Sequence, residues 1–363
     1  MKDVKFTTST DSGFTDELRK KVNQYFNEKD IPKSGGSSIV IKSIVMLTLF
    51  LIPIIILNLG ITTSPLAVFV LYFISGIGMA GIGMSIMHDA LHGSYSRKKS
   101  INRLMGYSIN LIGANATIWK IQHNVLHHTY TNVHELDDDL NTPGILRFSP
   151  DRKQHWFHRF QHIYVWFFYG LLTLVWVSTR DFTRIKQYKK MGFFKEESVY
   201  RLEILKAAIW KLTYFGYALI LPIILNPVSW WVIVLAFICM HFMTGTMLSI
   251  VFQTAHVMPS AKFPRPNNDG LIENNWLFHQ LDTTSNYAPK SRIFSWFVGG
   301  LNFQVEHHLL PHISHVHYKG LSKVVKKLTD KYDLPYNSKR NFLSAISAHM
   351  KMLKHLGTAT ATN

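Results

Sequence analysis

A single cysteine, Cys239, stands among 363 residues, which rules out an intrachain disulfide and any iron–sulfur cluster ligated by this chain alone. Acidic residues are scarce, 22 Asp and Glu against 39 Lys and Arg, for a net charge of +17. The pattern Glu-x-x-His occurs nowhere, so the carboxylate-bridged di-metal site of ferritin-like bundles is excluded. There is no internal repeat and no low-complexity tract, and only Ser34-Gly35-Gly36-Ser37-Ser38 reads as a flexible joint. Charge itself is missing from long stretches: 44–61, 66–87 and 212–255 contain no Lys, Arg, Asp or Glu. A core helix of a soluble protein seldom runs so far without charge, and about 20 apolar residues suffice to cross hydrocarbon.

These stretches predict an all-α integral membrane protein. Asn226-Pro227 supplies a turn inside the longest one, giving four transmembrane helices at about 42–61, 66–87, 207–225 and 228–252, arranged as two hairpins. Residues 1–38 are polar and mixed in charge, too long a lead for a signal peptide, so the first span is expected to remain as an anchor. The membrane domain is read as 39–330, followed by a cytoplasmic tail at 331–363. The turns at 62–65 and 226–229 carry no charge, whereas 97–103 and 180–206 are rich in Lys and Arg, which places the basic segments in the cytoplasm. That bias accounts for the positive charge without a nucleic-acid partner. A further uncharged run, 163–179, is short and holds Tyr164, Trp166, Tyr169 and Trp176 between His162 and Arg180, a pattern suited to a helix lying in the interface. Both termini and every histidine cluster then share the cytoplasmic side.

Histidines recur where the spans end. His88 and His92 in HDALH are one helical turn apart, so both imidazoles can reach one metal. His123 and His127 in HNVLHH repeat that spacing, and His128, turned about 100° around a helix, can serve a neighbouring ion. His307 and His308 follow in QVEHH, and His256 sits just past the last span. Eight histidines exceed what one ion uses with a position left open, so two metals are expected, held by a cytoplasmic helical cap. The other histidines are read blandly: His134, His155, His158, His162, His279, His349 and His355 as solvent or interface residues, His241 as hydrogen-bonded within the bundle. His312, His315 and His317 lie near the third cluster and are divided between supporting the ligands and plain packing. Asp137, Asp138 and Asp139 suit a solvated loop, with the alternative of orienting ligand imidazoles.

HDALH, HNVLHHTYTN and LNFQVEHHLLP, in this order around two hydrophobic hairpins, resemble the membrane-bound fatty acid desaturases over roughly residues 40–330. The resemblance implies that His88, His92, His123, His127, His128, His256, His307 and His308 ligate two non-haem iron ions. These use O2 and two electrons to remove two hydrogens from a lipid- or CoA-linked acyl chain, leaving a cis double bond. Gln304, where many members carry histidine, resembles the front-end type and related bacterial enzymes, and is expected to hold water near iron. Trp119, Trp276 and Phe303 are candidates for lining the acyl channel. No HPGG haem motif occurs, so a separate electron donor, a ferredoxin or cytochrome b5-like protein with its reductase, is expected at the basic surface. A hydroxylase or ketolase on the same scaffold is the nearest alternative. A membrane metal transporter is the remote one, because transport sites sit near the bilayer midplane.

Overall fold

The computed structural model describes residues 4–7, 13–142 and 144–359, so parts of both terminal segments lie outside the described residues. Five of the described helices are long and apolar enough to cross a membrane: Gly36–Asn58, Pro65–Leu91, Trp156–Lys190, Glu197–Leu225 and Trp230–His256. They make this a membrane protein with almost no sheet. Two pairs of two-residue parallel strands, Lys5–Phe6 with Leu271–Ile272 and Asn286–Tyr287 with Ser338–Lys339, pin the cap together.

The helices follow from the uncharged runs, and small residues let them approach. A Cβ at Gly78 of the second long helix would collide with the backbone of Leu49 and Phe50 in the first. A Cβ at Gly245 of the fifth would lie 2.7 Å from the carbonyl oxygens of Tyr169 and Gly170 in the third. Among apolar helices such close packing does the work that hydrophobic burial does in water. The two uncharged turns meet at one end of the bundle, where Asn226 Nδ2 donates to the Leu57 carbonyl at 2.5 Å and Asn58 Nδ2 to that of Tyr217 at 2.9 Å. The second and fifth helices therefore deliver His88 and His256 to the opposite end.

The third long helix differs from expectation. The short run at 163–179 is part of a 35-residue helix, Trp156–Lys190, in which two of the charged residues that follow the run, Asp181 and Arg184, are paired. Arg184 Nη1 lies 2.6 Å from Asp138 Oδ1 and Lys211 Nζ lies 2.8 Å from Asp181 Oδ2. The helix stays continuous through these pairs.

The terminal segments are built into the cap. Phe14–Lys29 buries Phe14, Leu18, Val22 and Phe26 in a cluster with Leu321, Val325 and Leu328 of the Tyr318–Lys331 helix. Phe342–Thr358 packs Leu353 and Leu356 with Val165 and Tyr169.

Candidate metal centre

Two ligand-bearing segments contain π-helical turns, at Ile82–Ile86 just before the first cluster and at Lys120–His127 through the second. The wider i→i+5 turn changes which side chains share a face. His88, His92, His123 and His307 bring one nitrogen each within 4.8 Å of one another, and His127, His256 and His308 do the same beside them. His128 stands between, with Nε2 3.2 Å from His123 Nε2 and 3.0 Å from His307 Nε2. His123 and His127 fall in different sets of four and three, although they are one turn apart. The i→i+5 winding of the π turn instead aligns His123 with His128, whose Nε2 atoms are 3.2 Å apart.

Hydrogen bonds set the tautomers. His123 Nδ1 is 3.1 Å from Asp139 Oδ2 and His127 Nδ1 is 2.9 Å from Asp137 Oδ1. His308 Nδ1 is 2.8 Å from Gln280 Oε1 and His256 Nδ1 is 3.3 Å from the Thr283 carbonyl. Each of these partners is an acceptor, so the proton sits on Nδ1 and Nε2 keeps its lone pair. His307 Nδ1 meets the Tyr318 hydroxyl at 3.2 Å. The Nε2 atoms of His92, His256 and His308 are buried with no hydrogen-bond partner among the described residues. Converging lone pairs without donors are costly unless a cation lies between them, so the donor set fits two metal ions held by nitrogen. Asp139 also joins a group with His123 and His127, but it meets His123 through Nδ1 and so orients that ring.

The electrostatics agree. Burial, and then repulsion from neighbouring imidazoles, pushes His123, His128, His307 and His308 well below the ordinary histidine range, which keeps them neutral. For His127 burial acts in the same direction, but the carboxylates of Asp137 and Asp139 outweigh it and raise it to about 9. These aspartates favour positive charge at His127, whether a proton or a metal ion at Nε2. Glu306 is pushed up to about 7 by burial, although the Tyr336 hydroxyl and Asn286 amide donate to it.

All eight histidines named from the sequence gather here, and His92 alone among them is partly exposed. Gln304 is buried beside His256 with its amide nitrogen unpaired. A cavity of about 580 Å³ adjoins the centre, lined by Trp119, His123, Gly83, Leu172 and Leu248 among others. Trp276 and Phe303 are not among its lining residues: Trp276 donates to the His128 carbonyl at 3.1 Å, and Phe303 packs in the cluster around Phe14. His241 bonds Tyr214 and Thr173 inside the bundle. His158, His279 and His349, read as solvent or interface residues, are buried instead. His349, for example, is held between the Val257 carbonyl and the Tyr169 hydroxyl. Asp137 and Asp138 are likewise buried rather than solvated.

A family model described as fatty acid desaturase matches residues 63–340. The chain belongs to the fatty acid desaturase family. As a member it is an oxidoreductase of fatty acid metabolism. It is 32% identical over 94% of its length to the acyl-lipid (8-3)-desaturase of Physcomitrium patens, covering 71% of that protein. It is also similar to the sn-1 linoleoyl-lipid 6-desaturases of Arthrospira platensis (30% identity, 97% of this chain and 95% of that one) and Synechocystis sp. (31%, 98% of both).

Sequence reasoning did not single out Gln280, Thr283 or Tyr318 as partners of the ligand rings. The only signal was the family-like segments that hold them, HQLDTTSNYAP and HISHVHY.

Proposed function

We propose that this family member introduces a cis double bond into an acyl chain carried on a lipid, with an acyl-CoA as the other substrate to be tested, and that it is of the front-end type. The observation that carries the reading is the convergence of eight imidazoles beside an apolar cavity. His88, His92, His123 and His307 hold one iron and His127, His256 and His308 the other, with His128 between them and Gln304 beside the second. When bound, the pair supplies oxidation by O2 and two electrons, with two protons: a –CH2–CH2– unit becomes –CH=CH– and O2 leaves as two waters. Asp137, Asp139, Gln280 and the Thr283 carbonyl keep four of the rings in one tautomer. Trp119, Leu172, Leu248 and Phe252 exclude water and hold the chain against the centre.

The proposed topology is two hairpins with the third long helix lying on the histidine side. In support, its start and its end both meet the polar segment that carries the orienting aspartates. Gln161 bonds the Arg147 backbone at 2.8 and 3.0 Å, and the Tyr188 hydroxyl bonds Asp138 at 2.5 Å. Electrons come from a separate acidic carrier protein. It approaches His92, beside which Lys120 lies and around which residues 90–134 carry five basic and no acidic side chains.

Expression in a desaturase-null host tests the reading: membrane lipids should gain one new cis double bond at a fixed position. A membrane-inserted, iron-loaded protein that leaves the lipids unchanged overturns it, and a hydroxylated product points to the alternative on this scaffold.

A further inference from the structure

The cavity beside the metal centre is uneven in polarity. Leu171, Leu172, Gly83 and Leu248 line one part of it, while Asn141, Thr142, Thr179, Arg180, Thr183 and Arg184 form a polar end. The polar end is a single place in the fold, because Arg184 Nη2 reaches the Asp138 and Asn141 carbonyls at 3.3 and 3.4 Å.

The two arginines there are differently engaged. Arg184 is committed, with Nη1 2.6 Å from Asp138 Oδ1 and 2.6 Å from Gln187 Oε1. The Arg180 guanidinium has no hydrogen-bond acceptor among the described residues. Two carboxylates stand near it, but both are used. Asp138 takes Arg184 and the Tyr188 hydroxyl, and Asp139 takes Gln122 and His123. Arg180 is only half-buried and none of its nitrogens is among the buried atoms without a partner, so its planar fork of five N–H donors meets water in the cavity. A substrate that fills the cavity takes the place of that water as acceptor.

We propose that Arg180 binds the oxygen at the carboxyl end of the acyl substrate, the carbonyl of an ester or thioester or the carboxylate of a free acid, and thereby sets where the chain is oxidised. The inference rests on the desaturase reading and deepens it. His123 lines the same cavity, and its Nδ1 is bonded to Asp139, which stands on the polar wall with Arg180. The metal centre therefore faces the cavity close to its polar end. With the head held at Arg180, the carbon presented to the centre is counted from the carboxyl end over a short stretch of chain. The tail runs on into the apolar part, where its length matters less.

The experiment compares Arg180→Met, Arg180→Gln and Arg180→Lys with the wild-type chain. It measures iron per chain, KM, the position of the new bond from mass spectra of derivatised lipids, and displacement of a fluorescent polyene fatty acid by methyl oleate and by oleate. R180M should keep its iron, raise KM about tenfold or more through loss of a charge-assisted hydrogen bond, and spread the product over neighbouring positions. If R180Q restores the position and methyl oleate displaces the probe as well as oleate does, the acceptor is an ester carbonyl. If only R180K restores it, the acceptor is a carboxylate. A single unshifted product in R180M with KM unchanged overturns the proposal, as does loss of iron in step with activity, which would assign Arg180 to the metal centre through Asp139. Probe displacement needs no turnover and a hydroxylated product would shift in the same way, so failure of the desaturase reading is separable from failure of this one.

Discussion

Asp137 is fully buried and makes three hydrogen bonds. Oδ1 accepts from His127 Nδ1 at 2.9 Å and the Asp139 N–H at 3.0 Å, and Oδ2 accepts from the Asn132 N–H at 2.8 Å. In Asp137→Asn one oxygen becomes an NH2 group and opposes a donor whichever way the amide turns. If the remaining oxygen serves His127, the Asn132 N–H loses its acceptor. The negative charge that favours a cation at His127 is lost as well. Partners of this kind are worth about 10- to 100-fold in metal affinity, or about 1.4 to 2.8 kcal/mol. Asp139→Asn should cost less, because Asp139 is 24% exposed and water screens it. Asp137→Ala should also weaken the fold, since two backbone N–H groups are left unpaired at about 1–3 kcal/mol each. The assay titrates iron out of purified protein with a chelator and follows bound iron beside thermal stability. D137N should release its iron at about 10-fold or more lower chelator strength while losing less thermal stability than D137A, since one backbone N–H rather than two is left unpaired. Iron retention within about twofold of wild type would refute the assigned role of Asp137.

Three further outcomes are expected. With Cys239 replaced, single cysteines at Ser64 and Ser229 should label from outside and those at Ser100 and Ser198 from inside; labelling of Ser198 from outside would mean that the third long helix spans. Gly83 lines the cavity with Leu248 Cδ2 3.4 Å from where its Cβ would stand, so Gly83→Leu should shift preference to shorter acyl chains in competition assays, and an unchanged preference would remove this wall from the substrate path. Burial lowers His349 from 6.5 to about 4; between these values the unfolded chain binds the proton and the native one does not, so stability is complete above 6.5 and falls as pH drops toward 4, by about 3 kcal/mol at most. A melting series in detergent should show this fall and lose part of it in His349→Phe.

What the sequence by itself determined was whatever depends on near neighbours along the chain. Uncharged runs of spanning length identified four of the five described helices that are long and apolar enough to cross a membrane, because desolvating a charge is costly wherever the chain then folds. Histidines one turn apart at the ends of those runs pointed to the eight imidazoles that gather at the candidate centre, because one imidazole cannot hold a metal and two on one turn begin to. Tertiary structure decided which histidines gather into which set, since a π turn is a packing outcome that spacing alone does not reveal, and it brought His123 beside His128. It also made a continuous helix of Trp156–Lys190, whose charges find partners in segments far away in sequence. Asp137 and Asp138 were buried, and Gln280, Thr283 and Tyr318 were carried to the ring nitrogens, in the same way. A buried polar group must find a partner, and only the assembled fold determines which one is within reach.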